Sequence, residues 1–246
     1  MIYAAVLAGG AGKRMMGEMP KQFLPFGGKC ILSHTAERFS LNAEIGKVLV
    51  AVPFDRVVHA RGIFFDGTHA IIGSEKIEII AGGRDRNSSL MAAVKSIEET
   101  SGIRPDDIIV SHDAVRPFVT QRIINENIAL CRRYGAAGTA CAMIDTPVIS
   151  DDGKVMREIP SRSNYYVCQT PQTFNIALLK EAYASLTDDE KESLTDACKI
   201  MVLYGKTVGI VAGERYNIKI TTPFDYSMAL AMLEKKFASS YETPER

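Results

Sequence analysis

The chain has 246 residues, the composition of an ordinary globular protein and a formal net charge of zero, from 29 Lys and Arg against 29 Asp and Glu. This length suits one large α/β domain, and we expect residues 1–246 to form a single domain. The charge balance excludes the basic footprint of a nucleic-acid-binding protein and an electrostatic membrane anchor. The apolar runs are all shorter than the ~20 residues that span a bilayer, so no membrane contact is expected.

The cysteines and histidines indicate reduced thiols and no zinc site. The five cysteines are scattered without CxxC spacing, and the chain has four histidines. An odd number of scattered cysteines is typical of a reducing compartment. The first residues enter an apolar run directly, without the cationic segment and cleavage site of a signal peptide. We therefore expect a cytoplasmic protein.

Strand-like and helix-like segments alternate along the first 144 residues. Short apolar, partly β-branched runs predict strands at Ile2–Leu7, 47–53, Ile77–Ala81, 107–111 and 138–144. Apolar residues at spacings of three and four predict helices at 31–39, 88–99 and Gln121–Tyr134. Such alternation favours a Rossmann-like α/β fold, in which a mostly parallel sheet carries helices on both faces.

The second half of the chain is less regular. Two strand-like runs flank Asp152-Gly153, which predicts a β-hairpin at 146–162. A lone hairpin is marginally stable in water, so it is expected to pack on a second subunit or on its own domain. Beyond it we predict helices at 175–185 and 196–204, strands at 208–211 and 216–222, and a helix from Pro223 to about 237.

A glycine-rich turn follows the first predicted strand. In Leu7-Ala-Gly-Gly-Ala-Gly-Lys-Arg-Met15 the glycines let main-chain N–H groups approach a polyanion, and Lys13 and Arg14 supply opposite charge. Pro20-Lys21-Gln22 adds a third cation behind a rigid turn. The spacing matches neither a P-loop nor the dinucleotide-binding pattern. The turn predicts a phosphate site, with a plain tight connection as the alternative.

Two further polar clusters fall at the ends of predicted strands, at residues 82–89 and 112–116. Ligands of open α/β sheets bind outside the carboxyl ends of the strands, so these clusters are expected to converge on the glycine turn. A site with many cations and one carboxylate at a strand end, here Asp113, is typical of phosphoryl or nucleotidyl transfer. In that reaction the protein mainly positions the reactants and neutralises the charge that develops on the phosphates. Asp113 is expected near Mg²⁺ or a substrate hydroxyl. The candidate cations are Lys13, Arg14, Lys21, Arg84, Arg86, Arg116, Arg162 and Lys219.

Several of these residues also have a purely structural interpretation. Arg84 and Arg86 fit a solvated helix start equally well. His112 beside Asp113 is typical of a hydrogen-bonded structural pair, and Lys219 fits the polar side of a strand. The sequence contains no Ser-His-Asp order on a nucleophile elbow and no pair of catalytic carboxylates.

Eight motifs together resemble one family, the cytidylyltransferases that make CDP-alcohols from CTP and an alditol phosphate. They run in the order of the family along nearly the whole chain, which a single glycine turn would not explain. The motifs are Leu7-Ala-Gly-Gly-x-Gly-x-Arg-Met15, Pro20-Lys-Gln22, Gly82-Gly83 with Arg86 and Ser89, His112-Asp-Ala-Val-Arg-Pro117, Asp145-Thr146, Gln169-Thr-Pro-Gln172, Leu194-Thr-Asp-Ala197 and Asn217-Ile-Lys-Ile-Thr-Thr-Pro223.

The resemblance implies a nucleotidyltransferase fold and a role for each motif residue. The triphosphate and the transition state would be held by Arg14, Lys21 and Lys219. Cytosine and ribose would be framed by Leu7, Ala8, Gly9, Gly10, Gly82, Gly83, Ser89 and Ala114. The acceptor side would consist of Asp113, Arg116, Thr146 and Arg162. The hairpin at about 145–166 would form a homodimer, through which Arg162 enters the site of the partner. Mg²⁺, or another divalent cation, would sit mainly on the CTP phosphates with Asp113 nearby.

Two branches of the family are candidates. One branch acts on D-ribitol 5-phosphate and supplies CDP-ribitol for teichoic acid or related polymers. This chain resembles that branch at Val115, where the methylerythritol branch usually has a second alanine, and in segments 169–176, 196–200 and 216–225. We therefore predict CDP-ribitol synthesis, with the 2-C-methyl-D-erythritol 4-phosphate reaction of isoprenoid biosynthesis as the alternative. A transferase that uses GTP or UTP and a nucleotide-binding module without catalysis are the other hypotheses.

Overall fold

The computed structural model describes residues 1–10, 19–66 and 71–235. Its strands are β1 Ile2–Leu7, β2 Pro25–Phe26, β3 Lys29–Cys30, β4 Lys47–Val52, β5 Ile77–Ala81, β6 Ile108–Asp113, β7 Ala136–Ala142, β8 Tyr166–Asn175 and β9 Gly209–Ala212. Its helices are α1 Ile31–Ser40, α2 Val57–Phe65, α3 Arg86–Ser101, α4 Gln121–Tyr134, α5 Ile176–Ser185, α6 Asp188–Glu192, α7 Cys198–Leu203 and α8 Pro223–Glu234. The predicted alternation is confirmed.

Seven of these strands form one sheet in the order β5-β4-β1-β6-β8-β7-β9. The pairs around β1, β4 and β5 are parallel, and β8 runs antiparallel to both β6 and β7. The chain leaves β1 for β4 and β5 on one side and then returns to β6 on the other side. β1 is therefore the point at which the strand order reverses, where α/β sheets usually bind ligands.

Helices cover both faces of the sheet, as predicted. Successive residues of a strand point to opposite faces. Ala4 and Val6 of β1 pack in a cluster with α1, α2 and α4, whereas Ala5 and Leu7 pack in a second cluster with α3, α5 and α7. Burial on both faces explains why β1 is an uninterrupted apolar run in the sequence.

A third apolar cluster returns the end of the chain to the carboxyl end of β6. It joins the β2–β3 hairpin, the segment after β6 and α8, and contains Phe26, Val115, Phe118 and Ile220. The prediction of a strand at 216–222 is wrong, because this segment pairs with no strand of the sheet. Its alternating isoleucines pack into the third cluster instead, and the Ile220 amide donates to the Val115 carbonyl at 2.9 Å.

The predicted hairpin at 146–162 is present only as a single β-bridge, between Ile149 and Glu158. Gly153, at the predicted turn, has a φ of 71°. In the register of the bridge, Pro147 lies opposite Pro160, and neither residue has an N–H to extend the ladder. The prediction of two regular strands is therefore wrong for this segment.

Other differences have local causes. Helix α3 begins at Arg86, two residues earlier than predicted, because Asp85 and Ser88 form a reciprocal capping box. α2, α6 and β8 were not predicted, and the predicted last residues of α8, 236–237, lie outside the described ranges.

The five cysteines are all free thiols. None of the helices in the described ranges is long and apolar enough to cross a bilayer.

Candidate active site

A cavity of about 380 Å³ opens at the carboxyl ends of β1 and β6, beside the glycine turn. Residues from both ends of the chain meet in its wall, so the predicted convergence of these segments is observed. The described residues of the wall include Leu7, Ala8, Gly9, Gly10, Lys21, Gln22, Arg84, Asp85, Arg86, Ser89, Asp113, Ala114, Val115 and Lys219.

Lys21 reaches this wall because its short helical turn is fastened to the end of β1. The Gln22 side-chain amide donates to the Ala8 carbonyl at 2.7 Å, and Gln22 is buried. The Ala8 amide in turn donates to the Ala51 carbonyl at the end of β4, at 2.8 Å. Sequence reasoning gave Gln22 no role, although it follows Lys21 directly in a recognised motif.

The turn before α3 forms the opposite wall. Ser89 Oγ accepts from the Gly83 amide at 3.1 Å and donates to the Asp85 carbonyl at 2.7 Å. A Cβ on Gly82 would lie 3.0 Å from Ser89 Oγ, so glycine permits this close approach. Ser89 therefore lines the cavity, while Gly82 and Gly83 form the turn behind it.

Asp113 is the centre of the charged cluster at this site. Lys219 Nζ lies 2.9 Å and Arg116 Nε 3.6 Å from Asp113 Oδ2, and Arg86 Nε lies 3.0 Å from Oδ1. The register of the sheet places Asp113 beside Leu7, at the end of β1. Three cations from separate segments thus share one carboxylate.

The cluster keeps Asp113 ionised and leaves a surplus of positive charge. Burial by itself raises the pKa of Asp113, but the charges of Arg86, Lys219 and Arg116 outweigh burial and hold this pKa well below its usual range. Because three cations face one carboxylate, and Lys21 lies in the same wall, the cavity attracts polyanions such as a triphosphate.

The structure distinguishes the two arginines at the start of α3. The Arg84 side chain is 85% exposed, which fits the solvated helix start. The Arg86 side chain is 22% exposed and contacts Asp113. Its two terminal nitrogens are buried without a hydrogen-bond partner among the described residues. Arg86 therefore belongs to the site, whereas Arg84 only reaches its rim.

His112 is a structural residue, but the predicted hydrogen-bonded pair with Asp113 is not observed, because the Asp113 carboxylate is engaged by the three cations of the cluster. Its Nε2 lies 3.0 Å from the Arg116 carbonyl, and its ring contacts Phe39 at a centroid distance of 4.9 Å. Because a carbonyl can only accept, Nε2 carries the proton and donates it. Burial lowers the pKa of His112 to about 3, so the ring is neutral at physiological pH.

The predicted acceptor residues are divided between two places. Asp113 and Arg116 belong to the charged cluster. Thr146 instead lines a separate cavity of about 440 Å³, together with Arg215. Arg162 is exposed, and its guanidinium donates to the Ile144 carbonyl of its own chain. Arg14, the third predicted triphosphate ligand, lies outside the described residues, as does Lys13.

The described side chains fit a divalent cation only as a companion of the substrate phosphates. The described residues contain no group of three or more His, Cys, Asp or Glu side chains suited to a metal ion. Of the two carboxylates among the described residues of the cavity wall, Asp113 contacts three cations, and Asp85 accepts the Ser88 amide at 2.7 Å to cap α3. Mg²⁺ prefers oxygen ligands, which a triphosphate supplies.

A larger cavity of about 760 Å³ lies at the opposite edge of the sheet, around Met1 and Asn175. It is remote from the charged cluster, and none of the described residues around it carries a buried polar side-chain atom without a partner. The smaller cavity at the carboxyl ends of the strands, which holds the charged cluster, is therefore the candidate active site.

Comparison with known families identifies the protein class. The family model for IspD, 2-C-methyl-D-erythritol 4-phosphate cytidylyltransferase, matches residues 2–235. The chain belongs to the IspD family. It is therefore a nucleotidyltransferase, and specifically a CTP-dependent cytidylyltransferase of the IspD type, as the resemblance of its motifs implied.

Solved IspD-family structures share the fold over nearly the whole chain. The 4-diphosphocytidyl-2C-methyl-D-erythritol synthase of Anaerococcus prevotii is 28% identical, with a TM-score of 0.76 over 95% of this chain and 96% of its own. The 2-C-methyl-D-erythritol 4-phosphate cytidylyltransferase of Thermus thermophilus is 27% identical, with a TM-score of 0.71 over 95% and 100%. That of Francisella tularensis is 26% identical, with a TM-score of 0.73 over 93% and 97%.

Proposed function

We propose that this IspD-family protein transfers CMP from CTP to 2-C-methyl-D-erythritol 4-phosphate and releases pyrophosphate. The observation that carries this proposal is the meeting of Lys21 and Lys219, from opposite ends of the chain, in one cavity with the glycine turn. The choice of acceptor is supported by the family model and by the three solved structures, which all bear the name of the methylerythritol reaction.

The reaction is an in-line displacement at the α-phosphorus of CTP. An oxygen of the acceptor phosphate forms the new P–O bond, while the bond from phosphorus to the oxygen that bridges to the β-phosphate breaks. Lys21 and Lys219, together with Arg14, neutralise the charge that develops on the pentacoordinate phosphorus and on pyrophosphate. The acceptor phosphate is already anionic, so the reaction needs no general base, consistent with a neutral, buried His112.

The nucleoside would lie against the main chain of the cavity wall. Leu7 to Gly10, Ala114 and Ser89 line that wall, and the Ser89 hydroxyl holds the turn at Gly83 and Asp85 in place beside it. A divalent cation bound with the triphosphate would supply further charge neutralisation. Since the carboxylate of Asp113 is engaged by three cations, we propose that it orders those cations and the acceptor hydroxyls rather than serving as a main metal ligand.

The arm, defined here as residues 145–166, is proposed to pair with the arm of a second copy and to bring Arg162 to the acceptor phosphate of the partner site. Two observations support this proposal. The arm has one internal β-bridge, and it exposes the apolar side chains of Val148, Val155, Met156, Ile159 and Tyr166.

Subunit mixing tests this proposal. Co-refolded Lys219→Met and Arg162→Ala chains should recover about a quarter of wild-type turnover, since half of the dimers are mixed and each mixed dimer has one complete site. No recovery would contradict a role of Arg162 across the dimer. About half of wild-type turnover, from Arg162→Ala chains that are active alone, would place Arg162 outside the catalytic site.

D-ribitol 5-phosphate is the second candidate acceptor, favoured by Val115 and by segments 169–176, 196–200 and 216–225 of the sequence. One experiment separates the candidates. Purified protein is incubated with CTP, Mg²⁺ and either acceptor, and pyrophosphate release gives kcat/KM for each. We expect the methylerythritol acceptor to be preferred by at least about tenfold, a difference of about 1.4 kcal/mol. The opposite preference would assign the ribitol reaction, and turnover with neither acceptor would contradict both assignments.

A nucleotide competition assay completes the test. GTP and UTP, added in excess to the CTP reaction, should leave the rate nearly unchanged if the cavity selects cytosine. Strong inhibition together with turnover of another nucleotide would favour the transferase that uses GTP or UTP.

A further inference from the structure

The segment that carries Lys219 is anchored by a buried amide two residues earlier. Asn217 is fully buried. Its side-chain nitrogen donates to the Thr170 carbonyl at 2.9 Å and to Gln169 Oε1 at 3.2 Å, both on β8. A buried amide with two such bonds is costly to disturb, because each partner would lose its hydrogen bond in a place that water cannot reach.

The same segment is tied to the site by two more contacts. The Asn217 carbonyl accepts from Arg116 Nη1 at 2.7 Å, and Gln169 Nε2 donates to the Glu214 carbonyl at 2.9 Å. The chain between Glu214 and Asn217 is thereby held against the start of β8. Lys219 lies two residues further on, outside any strand, so these contacts and the bond from the Ile220 amide to the Val115 carbonyl fix its position in place of a strand ladder.

The partners of Asn217 also position the carboxylate that Lys219 meets. Thr170, whose carbonyl accepts from Asn217, receives the Asp113 amide on its hydroxyl at 3.1 Å. Arg116, which donates to the Asn217 carbonyl, lies 3.6 Å from Asp113 Oδ2. One network therefore determines where Asp113 stands and where the segment of Lys219 passes it.

We infer that Asn217 is a positioning residue for cytidylyl transfer, which acts by holding Lys219 at the α-phosphorus of CTP. This inference rests on the proposed role of Lys219. Asparagine supplies what the position demands, a neutral side chain that donates twice from one nitrogen. Aspartate has the same shape but no donor, and its second oxygen would face the oxygens of Gln169 and Thr170.

The test compares Asn217→Asp with a matched control, Asn127→Asp. Asn127 is also fully buried, and its nitrogen donates to the Ile123 carbonyl and to Thr139 Oγ1, both at 2.9 Å, away from the cavity wall. Both variants should lower the Tm. Well below either Tm, Asn217→Asp should reduce kcat/KM for CTP by about 10- to 100-fold, the order expected when a charge is misplaced by about 1 Å. Asn127→Asp should leave kcat/KM within about twofold.

A double-mutant cycle separates positioning from general damage. Lys219→Met alone should reduce kcat/KM strongly. On that background Asn217→Asp should cost less than about twofold more, because the residue through which it acts is already gone. The full cost on that background, or unchanged kinetics of Asn217→Asp alone, would overturn the inference. Unchanged kinetics of Lys219→Met would instead overturn the proposed role of Lys219.

If Asn217→Asp does not fold, Gln169→Leu removes the same contact from the other side. It also releases the Glu214 carbonyl, so it should reproduce the loss in kcat/KM and the same lack of additivity with Lys219→Met. Wild-type kinetics of Gln169→Leu would contradict the inference.

Discussion

Replacing Asp113 with asparagine is the sharpest test of the charged cluster. Asparagine keeps the shape of the side chain and removes the charge that Arg86, Arg116 and Lys219 share. The Arg86 and Arg116 side chains would stay largely enclosed, at 22% and 11% exposure, without the carboxylate that compensates them. We therefore expect a loss of stability as well as a loss of activity.

The size of the stability loss follows from burial. Removing one partner of a buried ion pair costs roughly 3–5 kcal/mol, because the remaining charge is left uncompensated. Lys219 is 41% exposed, so water screens its charge and its share is small. We therefore expect Asp113→Asn to lower the free energy of unfolding by about 3 kcal/mol, the lower end of this range. For a chain of this size that is about 6–12 °C in Tm.

The pH dependence has a definite sign. The neighbouring cations hold the folded-state pKa of Asp113 below its usual value, even though burial opposes this shift. A carboxyl group with a lowered folded-state pKa stabilises the protein above its unfolded-state pKa of about 3.9, and this contribution is lost as the pH falls towards the folded-state value. The difference in unfolding free energy between wild type and Asp113→Asn should thus be constant from about pH 8 to 5 and shrink below about pH 4.

Urea unfolding at a series of pH values measures this difference, and pyrophosphate release measures activity. Asp107→Asn is the matched control, since Asp107 is also buried but pairs with the N-terminal amine at the opposite edge of the sheet, at 2.5 Å. It should destabilise the protein and leave kcat/KM of the folded enzyme unchanged, whereas Asp113→Asn should lower both. A stability within about 0.5 kcal/mol of wild type at pH 7 would refute the reasoning, because that is the usual effect of a surface substitution.

Three further substitutions test other parts of the site. Lys219→Met should lower kcat/KM for CTP by about 10²–10³-fold with little change in Tm. Lys219→Arg should retain more activity because it keeps the charge, and equal kcat/KM values for the two variants would contradict a role for that charge. His112→Asn should preserve the shape of the pH–rate profile between about pH 5 and 9, because a group with a pKa of about 3 does not titrate there. If the substitution removed an inflection near pH 6.5, this expectation would be contradicted. Gln22→Leu removes the hydrogen bond to the Ala8 carbonyl and should raise the KM for CTP, measured from initial rates, by about tenfold. An unchanged KM would mean that other contacts position Lys21.

The fold was predictable where burial follows a simple pattern. The bounds of β1, β5 and α4 were predicted as observed, because their apolar residues recur as the strand and helix geometries require. β8 was missed because its buried positions are largely polar, such as Gln169, Thr170 and Gln172. Their hydrogen bonds to side chains and main chain outside the strand make burial possible, and no local pattern of hydropathy indicates such partners.

The site was predictable as a location and less so in its parts. The rule that ligands bind at the carboxyl ends of strands correctly predicted that residues 82–89 and 112–116 meet beside Gly9 and Gly10. It did not distinguish Arg86 from Arg84, since that depends on how the first turn of α3 faces Asp113. Gln22 and Asn217 were missed as anchors because their partners are main-chain and side-chain groups far away in the sequence. The placement of Arg14 and the dimeric role of Arg162 stay predictions.

The cluster explains how cations that repel one another can stand ready before the substrate arrives. Like charges a few ångströms apart in a partly enclosed site oppose each other by several kcal/mol, at an effective dielectric constant of about 20. Asp113 offsets this repulsion for three of them, while the apolar packing of Ile220 and the hydrogen bonds of Gln22 hold Lys219 and Lys21 at the cavity wall. With CTP bound as proposed, these cations would need no reordering. Their full electrostatic effect would then be available to the proposed transition state, in which the charge on the phosphates is greatest.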